Sequence, residues 1–464
     1  MEFLNKIDQY KEDIIKSTQE TLRIRSVKDE AKENMPFGQG PADALNHFLK
    51  KAEEMGFETK NLDNYAGYIE FGEGDETVGI LAHLDVVPEG DGWDFDPYGG
   101  IIDDDKIYGR GAMDDKGPAV ATLYAMKALK DSNTKLNKKV RLILGTDEEA
   151  GWGCMDYYFK HEEAPNISFT PDADFPVIHA EKGIIIFDLI YDLESDDSNI
   201  KLMDISGGNA PNMVPDYAEA LLKVDDYDKF EKKYYEYKNK SNYPVTIRED
   251  EENVIVSAIG VSAHGSTPEK GENAIDYLID FLYNVFPNKS LAYDFLEIYR
   301  NRIAFKNHGE AIGCGFEDEV SGKLAFNVGM INKEDNKIII TINVRYPIHS
   351  SAEEVYQGIS ENLKDTAMKL VEGSTDIKPL YVPEDNELVR KLMEVYKEES
   401  GDMDAKPVVT GGGTYARALD NAVAFGPNFP GEKELAHQKN EFISVENLMK
   451  ITRIYTKAIY ELAK

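Results

Sequence analysis

The sequence predicts an α/β protein: a discontinuous α/β domain, residues 1–181 and 379–464, interrupted by an inserted α+β domain over 182–378. Three observations predict it. Before Lys182, short apolar strand-like runs alternate with helical patterns, the signature of a sheet with parallel elements. From 182 the texture changes to longer strand-like segments separated by acidic, Tyr-rich and Lys-rich stretches. From about 377 the first texture returns.

The elements follow in order. Residues 3–25 place Phe3, Leu4, Ile7, Ile14, Ile15 and Leu22 at helical spacing. A Gly/Pro-rich loop at 36–41 leads into a second helix at 42–55, stopped by Gly56. Strands are expected at 67–71, 78–82, 106–108 and 140–144, with a helix from about Pro118 between the last two. In the insertion, strands are expected at 184–191, 217–224, 254–261 and 337–344. Helices close the chain at 388–399 and 445–462. Neither low-complexity segments nor repeats are read.

Composition narrows the function. The 464 residues hold 86 Asp plus Glu against 52 Lys plus Arg, a net charge of −34. Nucleic acid needs clustered cations and is excluded as a partner, and an anionic membrane surface is disfavoured on the same ground. Two cysteines, Cys154 and Cys314, make no disulfide framework. The N-terminal residues lack a signal-peptide pattern, and no apolar run reaches the roughly 18 residues of a membrane span. A cytoplasmic protein is expected.

Five segments concentrate possible chemistry. His83 ends an apolar strand with Asp85 two residues on. Asp114 and Asp115 sit in a glycine-flexed turn before the Pro118 helix. Glu148 and Glu149 follow the strand at 140–144. Asp172 and Asp174 stand at another strand end, and His437 lies in a loop before the last helix. Each has an ordinary reading: a strand-end ion pair at His83, a solvated acidic turn at Asp114, helix-dipole acids at Glu148. Together they offer enough imidazole and carboxylate for two three-coordinate metal sites sharing one aspartate. Such mixed donors suit Zn²⁺, Mn²⁺ or Co²⁺. No Ser-His-Asp, Cys-His or nucleotide-binding glycine pattern is read. The remaining histidines, His47, His161, His179, His308 and His349, are read as structural or surface residues.

The motifs HLDVVP, GRGAMDDKGP, TDEE, PDADFP and the late AHQ stand in the order and spacing of the M20 metallopeptidases. With GGNAPNMVP, VSAHGSTPEKGENAI, NVRYP and GGGTYAR, the chain resembles the dipeptidase V branch (Xaa-His or carnosine-type dipeptidases) essentially end to end. The resemblance implies a catalytic domain of the zinc-exopeptidase type with an inserted lid. It implies two divalent ions, Zn²⁺ first, with Mn²⁺ or Co²⁺ possible. His83 and Asp172 would be private ligands of one ion, Glu149 and His437 of the other, and Asp114 the bridge, followed by a cis peptide bond to Asp115. Glu148 matches the general base, acting on hydroxide held between the ions, and Asp85 the acid that orients His83.

In the insertion, His264 resembles the residue that stabilises the oxyanion. Asn212 and Arg345 resemble substrate-holding residues, Arg345 at the terminal carboxylate, to which Gly412, Gly413 and Thr414 could add donors. The implied activity is hydrolysis of short peptides, mainly dipeptides with a free N-terminus. An N-acyl amino-acid deacylase is the alternative within the family, and a silent metal-binding protein the alternative outside it. An insertion long enough to fill the site from one chain predicts a monomer. Most of the acidity, including the runs at 194–197 and 249–252, is read as solvated surface.

Overall fold

The computed structural model describes residues 2–194, 198–288 and 290–464, so positions 195–197 of the acidic run lie outside the described residues. Two compact units emerge. One comprises Met1–Ala180, Tyr381–Val408 and Gly413–Lys464; the other comprises Glu181–Leu380 and Val409–Gly412. The architecture is the expected one, an α/β fold interrupted by an α+β insertion.

The first unit is built on a mixed sheet ordered Glu58–Leu62, Ala66–Phe71, Lys139–Gly145, Thr77–His83, Ile167–Thr170, Ala422–Ala424. Thr77–His83 runs parallel to both Lys139–Gly145 and Ile167–Thr170, so the carboxyl ends of all three strands open at one edge. The central strands are apolar without a break because both faces are covered. Ile80, Ala82, Leu142 and Leu144 join the core formed with Lys116–Asp131 and Val445–Ala463. Leu81 and Ile143 point the other way, into a smaller core with Cys154, Tyr158 and Tyr415.

Two departures have simple causes. The expected first helix is two, Glu2–Gln9 and Lys11–Leu22, because Tyr10 leaves helical geometry at ψ 2°. Strand Glu58–Leu62 (sequence ETKNL) buries only Leu62, so it carries no apolar alternation to read.

The second unit is an antiparallel sheet ordered Val245–Asp250, Asn253–Ile259, Tyr217–Val224, Ile200–Gly207, Ala325–Glu334, Lys337–Tyr346, Gly183–Asp192, Met368–Ile377. Its core joins alternate strand residues to helices Ala274–Val285, Leu291–Arg302 and Ala352–Leu363. Side chains Asn273, Ser290 and Ser351 cap those helices, Ser351 in a reciprocal box with Glu354. Along Lys337–Tyr346, Ile338, Ile340, Ile342 and Val344 face the core, which sends Asn343 and Arg345 to the opposite face. Glu249, Glu251 and Glu252 are exposed. Among the described residues, no helix is long and apolar enough to cross a membrane.

One buried acid in this unit makes stability depend on pH. Asp276 accepts hydrogen bonds from Tyr299 Oη at 2.8 Å and from the Phe305 amide at 2.8 Å. Burial pushes its pKa up to about 6, against those bonds and nearby Lys306 and with Asp280. The native state therefore holds a proton that the unfolded chain, titrating near 3.9, has lost. Stability from this group is full below pH ~4 and is lost as pH rises through 6. Relative to wild type, Asp276→Asn is expected to gain melting temperature steadily from pH 4 to pH 7. A difference that stays constant with pH would contradict the assignment.

Candidate metal centre

The carboxyl edge of the first sheet gathers the expected residues. His83 is the last residue of its strand and is fully buried. Glu148 and Glu149 follow Lys139–Gly145, and Asp172 follows Ile167–Thr170. Parallel strands deliver side chains from distant sequence to this edge, where α/β sites form. Asp114 comes from the turn before helix Lys116–Asp131, and its peptide bond to Asp115 is cis. His437 comes from the loop before the last helix, in the left-handed conformation at φ 63°.

Asp114 lies between the two histidines. Its Oδ1 is 2.9 Å from His83 Nε2 and its Oδ2 is 3.0 Å from His437 Nε2. His437 Nε2 also lies 3.2 Å from Glu149, and His83 Nε2 lies 3.7 Å from Asp172. Potential donor atoms of His83, Asp114 and Glu149 fall within 4.8 Å of one another, as do those of His83, Glu148 and Asp172.

The role of Asp85 differs in its atoms from the expected one. The strand ends at His83, so the two-residue alternation that would set the side chains together stops there. His83 Nδ1–H instead donates to the Asp85 backbone carbonyl at 3.0 Å, while the carboxylate lies 3.7 Å away. That carboxylate accepts from the Glu148 and Glu149 amides at 3.0 and 3.1 Å. Asp85 thus fixes the His83 tautomer through its main chain and the paired glutamates through its side chain. Glu148 and Glu149 are not helix-start acids, since the next helix begins at Gly153.

Electrostatics reflect the crowding. Burial raises the Asp172 pKa to about 7, and the charge of Asp114 adds to it. Glu148 is raised well above the ordinary range by burial and by Asp172, Glu149 and Asp114, against the pull of His83. At Asp114 burial acts upward but loses to both imidazoles, which hold its pKa well down. Bonds from Asp114 and Glu149 push His437 up to about 11.

The inserted unit holds His264, Asn212 and Arg345, while Gly413 and Thr414 belong to the first unit. His264 Nδ1 accepts the Ser266 amide at 3.3 Å and lies 2.7 Å from Ser266 Oγ. An amide can only donate, so the neutral ring carries its proton on Nε2. Partial burial and the Arg345 charge lower the His264 pKa, favouring that neutral form. The Asn212 carbonyl accepts the Gly265 amide at 2.7 Å. Arg345 Nε donates to Asn343 Oδ1 and its Nη1 to the Gly411 carbonyl, each at 2.9 Å. Gly413 returns the chain to the first unit, and Thr414 Oγ1 accepts the Ala416 amide at 3.2 Å, capping the short helix Tyr415–Ala418. Of the histidines read as structural, His179 is buried in Ile178–Glu181 and its Nδ1 bonds the Val382 carbonyl at 2.8 Å.

Comparison with known proteins settles the family. Residues 79–461 match the model of peptidase family M20/M25/M40. The chain belongs to that family. This M20 chain is 41% identical over 460 residues, 98% of both chains, to the Bacillus subtilis (strain 168) protein named "Putative dipeptidase YtjP". Its fold matches human carnosine dipeptidase 1 at TM-score 0.58 and 16% identity, covering 99% of this chain and 98% of that one. It also matches the aminoacylhistidine dipeptidase of Vibrio alginolyticus at TM-score 0.57 and 14% identity, with 96% of each chain covered.

The M20 chain is thus a metallopeptidase, and its donor set fits divalent cations. His83 Nδ1–H is committed to a carbonyl, which leaves Nε2 to bind. His83 and His437 bring Nε2 to 2.9–3.2 Å from Asp114 and Glu149, so imidazole and carboxylate donors that would hold such cations stand together. Asp115 Oδ1, buried and without a hydrogen bond, adds uncompensated acid.

Sequence reasoning missed one residue of this centre. Glu441 is completely buried, pairs with Arg110 Nη1 at 2.8 Å and accepts the Gly111, Met113 and Asp114 amides at 3.1, 2.8 and 3.3 Å. It clamps the turn that presents Asp114. The only trace in the sequence is an acid four residues after His437 in HQKNE.

Proposed function

We propose that this chain is a di-metal, aminopeptidase-type dipeptidase, hydrolysing short peptides and mainly dipeptides with a free N-terminus. The observation that supports this most is the Asp114 carboxylate, with one oxygen 2.9 Å from His83 and the other 3.0 Å from His437, as a ligand shared by two cations requires. The choice of dipeptides draws support from the name of the 41%-identical relative.

In this reading His83 and Asp172 hold one ion, Glu149 and His437 the other, and Asp114 both. Zinc is the first candidate, with manganese or cobalt compatible with the same donors. When bound, such ions polarise the scissile carbonyl and bring the pKa of water to about 7. Glu148 takes a proton from the attacking water on its carboxylate and delivers it to the leaving amine. Asp85 holds Glu148 in place through the backbone amide. His264 offers its Nε2–H to the carbonyl oxygen as negative charge develops there. Arg345 binds the substrate's terminal carboxylate, with Asn212, Gly413 and Thr414 as further contacts. A cytoplasmic monomer completes the reading, consistent with two free, buried cysteines.

Metal analysis combined with a dipeptide panel tests this. Two equivalents of metal are expected, with hydrolysis of free dipeptides, none of their N-acetyl derivatives, loss on chelation and recovery on add-back. Preference for the N-acetyl compounds would move the assignment to a deacylase. Two bound metals without any turnover would overturn catalysis itself.

A further inference from the structure

The face of the inserted sheet opposite its core carries a buried polar layer at one end. Asn327 and Asn343 are direct partners in the antiparallel pair Ala325–Glu334 and Lys337–Tyr346, and each is 1% exposed. Side chains opposite one another on such a pair stand side by side. Asn327 Nδ2 donates to the Pro211 carbonyl at 2.8 Å and to the Met213 carbonyl at 2.9 Å, so its amide brackets Asn212. The Asn212 carbonyl in turn accepts the Gly265 amide, and Met213 forms an isolated β-bridge with His264. A Cβ on Gly265 would sit 2.9 Å from the Asn212 carbonyl oxygen and 3.1 Å from Asn327 Nδ2, so the two loops lie directly on this amide. On the neighbouring strand, Asn343 Oδ1 accepts Arg345 Nε at 2.9 Å.

Two buried atoms of this pair have no hydrogen-bond partner: Asn327 Oδ1, an acceptor, and Asn343 Nδ2, a donor. One amide–amide bond between facing neighbours would satisfy both, and buried polar atoms are rarely left unpaired.

We infer that Asn327 and Asn343 are positioning residues that act as one unit, fixing Asn212 and His264 through Asn327 and Arg345 through Asn343. The inference rests on the dipeptidase reading for what those three residues bind, but not for how they are held. An apolar pair would serve sheet stability as well, since this end of the strands is buried. Two amides, one spent on loop carbonyls and one on a guanidinium, serve geometry.

Asn327→Asp tests the loop half, because it keeps the shape and replaces the donor with an acceptor facing two carbonyls. It is expected to lower kcat/KM for a free dipeptide by about 100-fold, the scale of a misplacement of about 1 Å, with metal content unchanged. In an Asn212→Ala background the same change should cost little more, since both act through one segment. Asn343→Leu is expected to raise KM roughly tenfold through the loss of a hydrogen bond to a charged group. Asn343→Asp, which keeps the acceptor for Arg345, should recover most of that loss.

Hydrogen exchange supplies the readout independent of activity: Asn327→Asp should speed exchange of the Gly265 amide and of the Val214 amide, which donates to the Ala263 carbonyl at 2.8 Å between the same two loops. Should wild type cleave no dipeptide, the functional reading fails, and the exchange result alone decides the positioning role. Unchanged exchange at both amides would overturn it. So would a loss in kcat/KM that is equally large in both backgrounds and tracks a fall in melting temperature.

Discussion

Glu148→Gln is expected to lose about 10²–10⁴-fold in kcat while retaining both metal ions, the scale on which a positioned general base contributes. The argument turns on how the two adjacent glutamates differ. Glu149 lies 3.2 Å from His437 Nε2 and shares a cluster of donor atoms with His83 and Asp114. Glu148 faces His83 and Asp172, and its raised pKa comes from burial among acids, against the pull of His83. Cations in the cluster would favour the ionised form of Glu148 and so free its carboxylate to accept a proton. Its grouping with His83 and Asp172 is also what a ligand would show, and the variant separates the two roles. Gln keeps a carbonyl oxygen but cannot take the proton. Two equivalents of metal by elemental analysis, with chemistry slowed in single-turnover measurements, is the expected outcome. One equivalent of metal would make Glu148 a ligand, and wild-type kcat would remove it from the reaction.

The sequence was most legible where structure repeats a local pattern. His83, Glu148, Glu149 and Asp172 each follow an apolar run, and parallel strands buried on both faces read as such runs without knowledge of their partners. Asp114 and His437 lie in loops with no periodicity, and only the ordered motif set pointed to them. Glu441 was beyond reach because its partners, Arg110 and three amides, lie more than three hundred residues earlier. Asp85 was read beside His83, where its carboxylate lies 3.7 Å away, but the hydrogen bond from the ring goes to its carbonyl, because the strand's period of two stops at His83. In the inserted unit, helix Ala274–Val285 is buried on almost every residue, so it lacks the polar face that marks an amphipathic helix. The Asn327–Asn343 pairing depends on strand register, which neither strand states alone.

Asp114→Ala is expected to have the broadest effect, because it removes a carboxylate that lies within 3.0 Å of both histidines. In wild type each carboxylate oxygen engages a different Nε2, at 2.9 and 3.0 Å. Glu441 holds this geometry by bonding the amides of the same turn, so the position is set by backbone and is not adjustable by side-chain rotation alone. Loss of Asp172 or Glu149 would strip one side of the centre; loss of Asp114 strips both. Metal content should fall from two equivalents to one or none, and kcat/KM by about three orders of magnitude or more. That is several kcal/mol at about 1.36 kcal/mol per tenfold. A binding readout distinguishes this from simple misfolding. A ligand that binds only the native state raises stability by RT ln(1 + [L]/Kd), so added Zn²⁺ or Mn²⁺ should raise the melting temperature of wild type and leave that of Asp114→Ala nearly unmoved. Metal-free Asp114→Ala is expected to be less stable than metal-free wild type, since the carboxylate that both imidazoles hold ionised has gone, so the shift on adding metal is the readout. Two tightly bound ions in Asp114→Ala would show that the carboxylate between His83 and His437 is an ordinary ion-pair partner and that the bridging ligand lies elsewhere.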